Sequence, residues 1–390
     1  MAQVNPKILV WARETAGLSE DEASKALKLG GSRLSGSETL GQYESGEKQL
    51  SRPLLLNMAK VYRRPLLTFY LQAPPRSGER GEDFRTIPED RRIEEQGKLD
   101  ALVRDVYVRQ RLVKSALEDA DEANELAFVG SLTSDLPIDM AKRKICEDLN
   151  FDLERFRKLR TVEDSFSYLR ELTEARGVFV LLIGNLGTHH SNISADVFRG
   201  FALADRTSPF IVINDQDAKT AWSFTLLHEL AHIYLGQTGI SGGFSEIKIE
   251  RYCNEIASQI LLPREEISSQ EFDSSNLESF IKDICRFAAA RKISGSMVSY
   301  VLFLLGKVPK SKWIEASEKL QELWRKEKEG KKNSEKKGAP DYYVVRRHRV
   351  GSALVNLVGR SMGEGILTAT KAAKVLGVSP GNVPAMVGMR

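Results

Sequence analysis

The sequence predicts a multidomain, mainly α protein that contains one α+β region. The chain has 390 residues, more than a single domain usually holds. Most of it carries apolar residues at helical spacing, whereas three short apolar runs, GVFVLLIG, FRGFALAD and PFIVIND, have the pattern of β-strands. A helix that contains the segment HELAH follows these runs directly. Strands that precede paired helices predict an α+β layer.

Composition and charge indicate a soluble, cytoplasmic protein. Hydrophobic residues make up 42% and charged residues 28% of the chain, which is usual for a folded protein. The net charge of +4 is too small for a protein that coats nucleic acid nonspecifically. Cys146, Cys253 and Cys285 are too few and too widely spaced for a disulfide framework or a CxxC zinc site. No apolar run approaches the ~18 residues of a membrane span, so no membrane partner is expected.

The front of the chain predicts a compact helical unit over residues 1–75. In GLSEDEASKAL, Ser19 and Glu22 have the spacing of a capping box, and RPLLLNMAKVYRRPLLTFYL begins with a proline suited to a first helical turn. The segment QAPPRSGERGEDFR then predicts a linker. Residues 76–159 are expected to hold this linker and one long helix, from about residue 90 to about 125, with an apolar stripe.

The rest of the chain predicts three further segments. The α+β region is expected over residues 160–305, and a helix with a charged hinge over residues 306–340. The hinge is the stretch RKEKEGKKNSEKKGAP, residues 325–340, which has almost no apolar residue. Residues 341–390 predict a small helical tail module, because ILTATKAAKVLGVSPGNVPAMV has the pattern of a helix, a turn and a helix.

The segment HELAH predicts a zinc site. His228 and His232 are four residues apart, which places both imidazoles on one face of a helix. Two neutral ring nitrogens at this spacing can bind one Zn²⁺, and Glu229 is then the candidate general base. The alternative is an amphipathic helix in which the two histidines are only hydrogen-bonded.

The surroundings of the motif favour zinc. The helix has apolar residues that predict a packing face: Phe224, Leu227, Ala231 and Leu235. Burying two imidazoles costs free energy unless each finds a partner, and a metal ion is a partner for both. The three predicted strands supply a supporting sheet.

A third ligand is expected on the following helix, SEIKIERYCNEIASQILLP. Its apolar stripe consists of Ile249, Cys253, Ile256 and Ile260. Glu250 adjoins this stripe, but helical periodicity leaves Glu246 and Glu255 as rivals. Since each residue advances about 100° around the helix, Glu255 lies about 140° from Glu250, and the two cannot face one metal.

These two helices resemble those of the ImmA/IrrE family of zinc metallopeptidases, in which an HExxH helix is followed by an E-x-x-(A/C)-N-x-x-A…LP helix. The matching segments are HELAHIYLG and IERYCNEIASQILLP, and the resemblance covers roughly residues 160–265. It implies a zincin-like, gluzincin-type peptidase fold with Glu250 as the third zinc ligand. It also implies that Asn254 has a structural or ligand-supporting role. The sequence leaves four candidates for stabilising an oxyanion: His189, His190, Tyr234 and Tyr252.

The front unit resembles the helix-turn-helix domains of the Xre/Cro type. That type often carries an aromatic-Glu-x-Gly-Glu segment, matched here by YESGE, residues 43–47. The spacing before this segment, KLGGSRLSGSETLGQ, is longer than usual and rich in glycine and serine. Residues 1–75 contain ten Lys and Arg against seven Asp and Glu, a net charge of +3. The candidate DNA-contacting residues are Ser37, Thr39, Gln42, Arg63 and Arg64; a role in dimerisation or protein binding is the alternative.

The family resemblance implies an intracellular zinc-dependent endopeptidase that acts in regulation. Its expected partner is a specific protein, a repressor, antitoxin or toxin, whose cleavage controls transcription or a toxin. DNA and a second copy of the chain are further candidate partners. Two alternatives stay open: a non-proteolytic antitoxin that uses the peptidase fold as a binding scaffold, and a simple DNA-binding regulator. Intact His228, Glu229 and His232 favour the enzyme, because a scaffold has no chemical need for Glu229.

Overall fold

The computed structural model describes residues 4–31, 34–64, 66–71, 73, 93–187, 191–240, 247–273, 276–334 and 341–388. The chain forms two compact units, Met1–Tyr107 with Asn185–Val197, and Val108–Gly184 with Phe198–Arg390. The division falls within one long helix, α5 (Ile93–Asp119), which the sequence predicts correctly. The five segment boundaries predicted from the sequence stay predictions. In the part of the chain that the structure describes, no helix combines the length and apolar character needed to cross a membrane.

The first unit is helical, as predicted. Its elements before α5 are α1 (Pro6–Glu14), α2 (Glu20–Leu27), α3 (Gly36–Glu44), α4 (Arg52–Val61) and a 3-10 helix (Leu66–Tyr70). Capping boxes begin α2 at Ser19 and α3 at Ser35: each serine side chain accepts the N–H of the glutamate three residues later, and that carboxylate accepts the N–H of the serine. The helices enclose an apolar core that includes Ile8, Leu40 and Phe69.

A buried ion pair explains part of the YESGE segment. Arg13 on α1 donates from Nε and Nη2 to the two carboxylate oxygens of Glu44, at 2.8 and 2.9 Å. Gly46 follows with φ of +83°, and a Cβ there would lie 3.0 Å from Cγ of Pro6. Glu44 therefore ties the end of α3 to α1, and Gly46 allows the chain to turn beside α1.

The second unit combines a small sheet with many helices. The strands are β1 (Phe179–Leu182), β2 (Gly200–Leu203), β3 (Phe210–Ile213) and β4 (Gly239–Ile240). Their order is β1-β3-β2-β4, with β1 parallel to β3 and the other pairs antiparallel. All residues of β1, β2 and β3 are buried. These three strands are the ones that the sequence predicts, and the mainly α architecture with an α+β part is confirmed.

The helices of the second unit surround this sheet. They are α6 (Ile138–Leu149), α7 (Leu153–Lys158), α8 (Val162–Ala175), α9 (Lys219–Tyr234), α10 (Ile247–Leu261), α11 (Arg264–Ser268), α12 (Leu277–Ala290), α13 (Gly295–Leu304), α14 (Lys310–Ser334), α15 (Tyr342–Val350), α16 (Ser352–Gly363), α17 (Ala369–Leu376) and α18 (Val383–Val387). Helix α9 packs against β2 and β3 and also contacts α8 and α10. The HELAH segment thus lies between the sheet and α10.

The predicted hinge is wrong over most of its length. Helix α14 continues to its end at Ser334, so residues 325–334 are helical, while residues 335–340 lie outside the described residues. Pairs such as Lys326 with Glu322, at 2.5 Å, join charged side chains one turn apart. Opposite charges at this spacing stabilise an exposed helix. A highly charged stretch is therefore compatible with a helix as well as with a flexible segment.

The predicted C-terminal helix, turn and helix correspond to α17 and α18, with Gly377 at a φ of +64° between them. This part of the chain belongs to the second unit and packs against its sheet and helices. Helix α15 packs against β1, and α16 packs against α8. The buried Arg170–Glu174 pair on α8 reaches their junction, where Glu174 accepts hydrogen bonds from Ser352 Oγ at 2.8 Å and from the Ala353 N–H at 3.1 Å.

Candidate metal centre

Helix α9 positions the two histidines in the interior of the second unit. Between Ala221 and Tyr234 every residue except Phe224 is buried. His228 is 4% exposed and His232 is 7% exposed. The two rings are edge to face, with centroids 4.8 Å apart, as the i, i+4 spacing predicts.

Glu250 on α10 completes a group of three. Its Oε2 lies 3.2 Å from Nε2 of His228, and its Oε1 lies 3.3 Å from Nε2 of His232. The two Nε2 atoms are 3.1 Å apart. Both histidines therefore present the same ring nitrogen to the same carboxylate, and three potential metal ligands converge on one point.

The charges of the three residues depend on one another. Burial would raise the pKa of Glu250, but hydrogen bonds from His228 and His232 outweigh it and lower this pKa to about 2. Burial would lower the pKa of His232, but hydrogen bonds to Cys253 and Glu250 outweigh it and raise this pKa well above its usual value. Without a metal ion, a proton on His232 thus compensates the carboxylate charge.

The geometry of the group fits zinc. In a tetrahedral zinc site with metal–ligand distances of about 2.0–2.1 Å, neighbouring ligand atoms are about 3.3–3.4 Å apart. The two Nε2 atoms are 3.1 Å apart, and each lies 3.2–3.3 Å from a different oxygen of the Glu250 carboxylate, which is close to that value. Two imidazoles and one carboxylate are also a known ligand set of catalytic zinc. The residues present therefore offer this ion a suitable ligand set.

Residues 188–300 match the family model Peptidase_M78, described as the IrrE N-terminal-like domain. The match covers less than a third of the chain, and it includes His228, Glu229, His232 and Glu250. It supports a metallopeptidase or regulator of the ImmA/IrrE type for this segment. Neither the comparison with curated proteins nor that with solved structures gave a match.

Glu229 lies beside the group but is directed to the sheet. The residue is fully buried. A Cβ at Gly200 of β2 would lie 2.8 Å from Oε1 of Glu229 and 2.6 Å from Cγ2 of Thr225. Gly200 therefore leaves the space that the Glu229 side chain occupies. Sequence analysis missed Gly200, although a glycine within a strand often marks a close approach of another group.

Cys253 is a second residue that sequence analysis missed. The sequence assigns it to the apolar stripe of α10 and gives the supporting role to Asn254. In the structure Cys253 is fully buried and interacts with His232, which lowers the pKa of the thiol against the larger effect of burial. Asn254 is half-buried on the same helix. A histidine that binds metal through one ring nitrogen is usually oriented by a partner at its other ring nitrogen. Cys253 is therefore the better candidate for supporting His232.

The structure also separates the rival glutamates. Glu255 accepts hydrogen bonds from Arg264 and, at 3.3 Å, from Gln259, and it is not part of the group of three. Glu246 lies outside the described residues. Glu250, the residue that the family resemblance implies, is therefore the glutamate that the structure brings to the two histidines.

The candidate oxyanion groups are engaged elsewhere or lie outside the described residues. The Tyr234 hydroxyl donates to Asp148 at 2.9 Å, and the Tyr252 hydroxyl donates to the carbonyl of Leu136 at 2.9 Å. Both hydroxyls link α9 or α10 to neighbouring segments. His189 and His190 are outside the described residues.

The candidate DNA-contacting residues have mixed surroundings. Thr39 is buried, with its hydroxyl donating to the carbonyl of Ser35 at 2.9 Å, so its side chain is not available to DNA. Ser37 donates to Asp21, and Arg64 donates to Thr15 at 2.6 Å. Two others remain at the surface, namely the half-buried Gln42 and the exposed Arg63. Binding of DNA by the first unit stays a prediction.

Proposed function

We propose that this chain is a zinc-dependent endopeptidase of the ImmA/IrrE type. The observation that carries the proposal is the convergence of His228, His232 and Glu250, whose potential ligand atoms, one from each residue, all lie within 4.8 Å of one another. The family match over residues 188–300 supports the same activity. A purely structural hydrogen-bonded group would not require Glu229 beside it.

The four residues have separate roles in this proposal. His228, His232 and Glu250 hold the ion. When bound, zinc supplies a Lewis acid that lowers the pKa of water and polarises a peptide carbonyl. Glu229 accepts a proton from the attacking water and delivers it to the leaving amine. Its burial against β2 holds the carboxylate in place and keeps bulk water away from it.

We propose a specific protein as the substrate, of the repressor, antitoxin or toxin class that the family resemblance implies. A zinc site by itself discriminates poorly among peptide bonds, so selection of one partner requires contacts away from the metal. The helical first unit and the C-terminal helices α15 to α18 are the candidate surfaces for these contacts. DNA binding by the first unit is compatible with this role, since a repressor partner would also be located at DNA.

A comparison of wild type with Glu229→Gln tests the proposal. The variant keeps all three ligands, so it should bind zinc and retain the partner uncut, whereas the wild type should release two fragments with one defined new N-terminus. Mass spectrometry of the co-purified partner measures both. A zinc-loaded wild type that binds its partner tightly and leaves it intact would instead support the non-proteolytic scaffold.

A further inference from the structure

Phe224 has an unusual position on α9. It is the one residue between Ala221 and Tyr234 that is not buried. It lies one turn before His228 on the same face, and the two rings are stacked, with centroids 6.2 Å apart and planes at 29°. The ring packs against the core, and the residue is half-buried.

A half-buried aromatic ring at this place is informative because of its neighbours. Single exposed apolar residues are common and need no explanation on an ordinary surface. Here the neighbouring residue is a metal ligand, and Glu250, the most exposed of the three ligands, is 18% accessible. Because the ring of Phe224 stacks on His228, a peptide whose carbonyl reaches the metal would lie within reach of this ring.

We infer that Phe224 is a specificity-determining residue, which selects an apolar or aromatic side chain next to the cleaved bond. This inference rests on the proposed function. An aromatic pair or an apolar side chain against a ring gains free energy from removal of water, while a charged side chain loses hydration there. The substrate would thus carry an apolar residue at this position.

Phe224 could instead orient the ring of His228, and this role would have a different effect on ligand binding. Among the described residues, Nδ1 of His228 is buried without a hydrogen-bond partner. Stacking by Phe224 could orient this ring in place of such a bond. In that case loss of the phenyl ring would weaken zinc binding and would not change the preference among ligands.

Two small zinc-binding probes separate these roles. Acetohydroxamate and 3-phenylpropionohydroxamate share the metal-binding group and differ by a benzyl substituent. Calorimetry on the zinc-loaded full chain should show about tenfold tighter binding of the phenyl compound, the ratio that 1.4 kcal/mol of aromatic contact gives. Phe224→Ala should bind acetohydroxamate as before and lose this preference.

Two further variants control the experiment. Phe303→Ala removes another half-buried ring, which stacks on Trp313 away from the ligands, and should keep the full preference. If Phe224→Ala disturbs folding, Phe224→Leu can replace it, because leucine keeps an apolar side chain at this position. This variant should reduce the preference for the phenyl compound to a few-fold.

An unchanged preference in Phe224→Ala and Phe224→Leu would overturn the inference, whether or not zinc binding weakens. If acetohydroxamate binds none of the zinc-loaded proteins, the proposed function is refuted, and the inference about Phe224 is refuted with it. If acetohydroxamate binds without any phenyl preference in wild type, only the role of Phe224 is refuted.

Discussion

Replacement of Gly200 by alanine tests the position of Glu229. The new Cβ would lie 2.6 Å from Thr225 and 2.8 Å from the Glu229 carboxylate. Both distances are below 3.0 Å, and real Cβ atoms essentially never have a contact that short. Since Thr225 and Glu229 are both buried, neither can move into solvent. The Glu229 carboxylate must therefore shift away from β2.

The expected cost has two parts. Overpacking of a buried site lowers the free energy of unfolding by about 1–3 kcal/mol. Displacement of a catalytic group by about 1 Å reduces a rate by about 10²-fold. The three atoms nearest to the new methyl group belong to Thr225 and Glu229, not to the proposed metal ligands, so zinc content should stay at the wild-type level.

The assay is the rate of partner cleavage, measured beside zinc content and chemical unfolding. Gly381→Ala is the matched control, because a Cβ at Gly381 meets nothing within 4 Å, and this variant should cleave at the wild-type rate. Full activity of Gly200→Ala would refute the claim that Glu229 needs the space beside β2.

Three further predictions follow from other contacts. Glu44→Gln removes the carboxylate that accepts two hydrogen bonds from the buried Arg13 and leaves it the more distant Glu20, at 3.7 Å, as its charged partner. It should destabilise the first unit by about 3 kcal/mol, visible as faster hydrogen exchange in α1 and α3; unchanged exchange would contradict a stabilising role of the Arg13–Glu44 pair. Cys253→Val should weaken zinc binding about 10–100-fold in competition with a chelator, whereas Cys253→Ser should retain most of it. Because the pKa of metal-free His232 is raised, zinc must displace a proton, so zinc affinity should rise about tenfold per pH unit below that pKa; a pH-independent affinity would contradict this.

The sequence predicts local features well where one residue pattern has one physical outcome. The capping box at Ser19, the three buried strands and the i, i+4 histidines all depend on neighbours close in the chain, and the structure shows each of them. Periodicity alone did not decide between Glu246, Glu250 and Glu255. That choice needs the rotation of α10 against α9, which is set by tertiary packing.

Other features depend on contacts distant in sequence. Gly200 is separated from Glu229 by β3 and most of α9, so its role appears only when β2 lies against the helix. Cys253 has the pattern of an apolar core residue, and only its approach to His232 shows a second role. The hinge prediction was wrong over residues 325–334 because a charged stretch suits an exposed helix and a flexible segment equally.

The most direct test of the zinc site is metal content, by elemental analysis of protein purified without added metal. We predict about one zinc per chain in the wild type and a large loss in Glu250→Ala. Glu255→Ala, on the same helix and bonded to Arg264, is the matched control and should retain its zinc. Absence of zinc from the wild type, or equal zinc in all three proteins, would contradict the assignment of His228, His232 and Glu250 as its ligands.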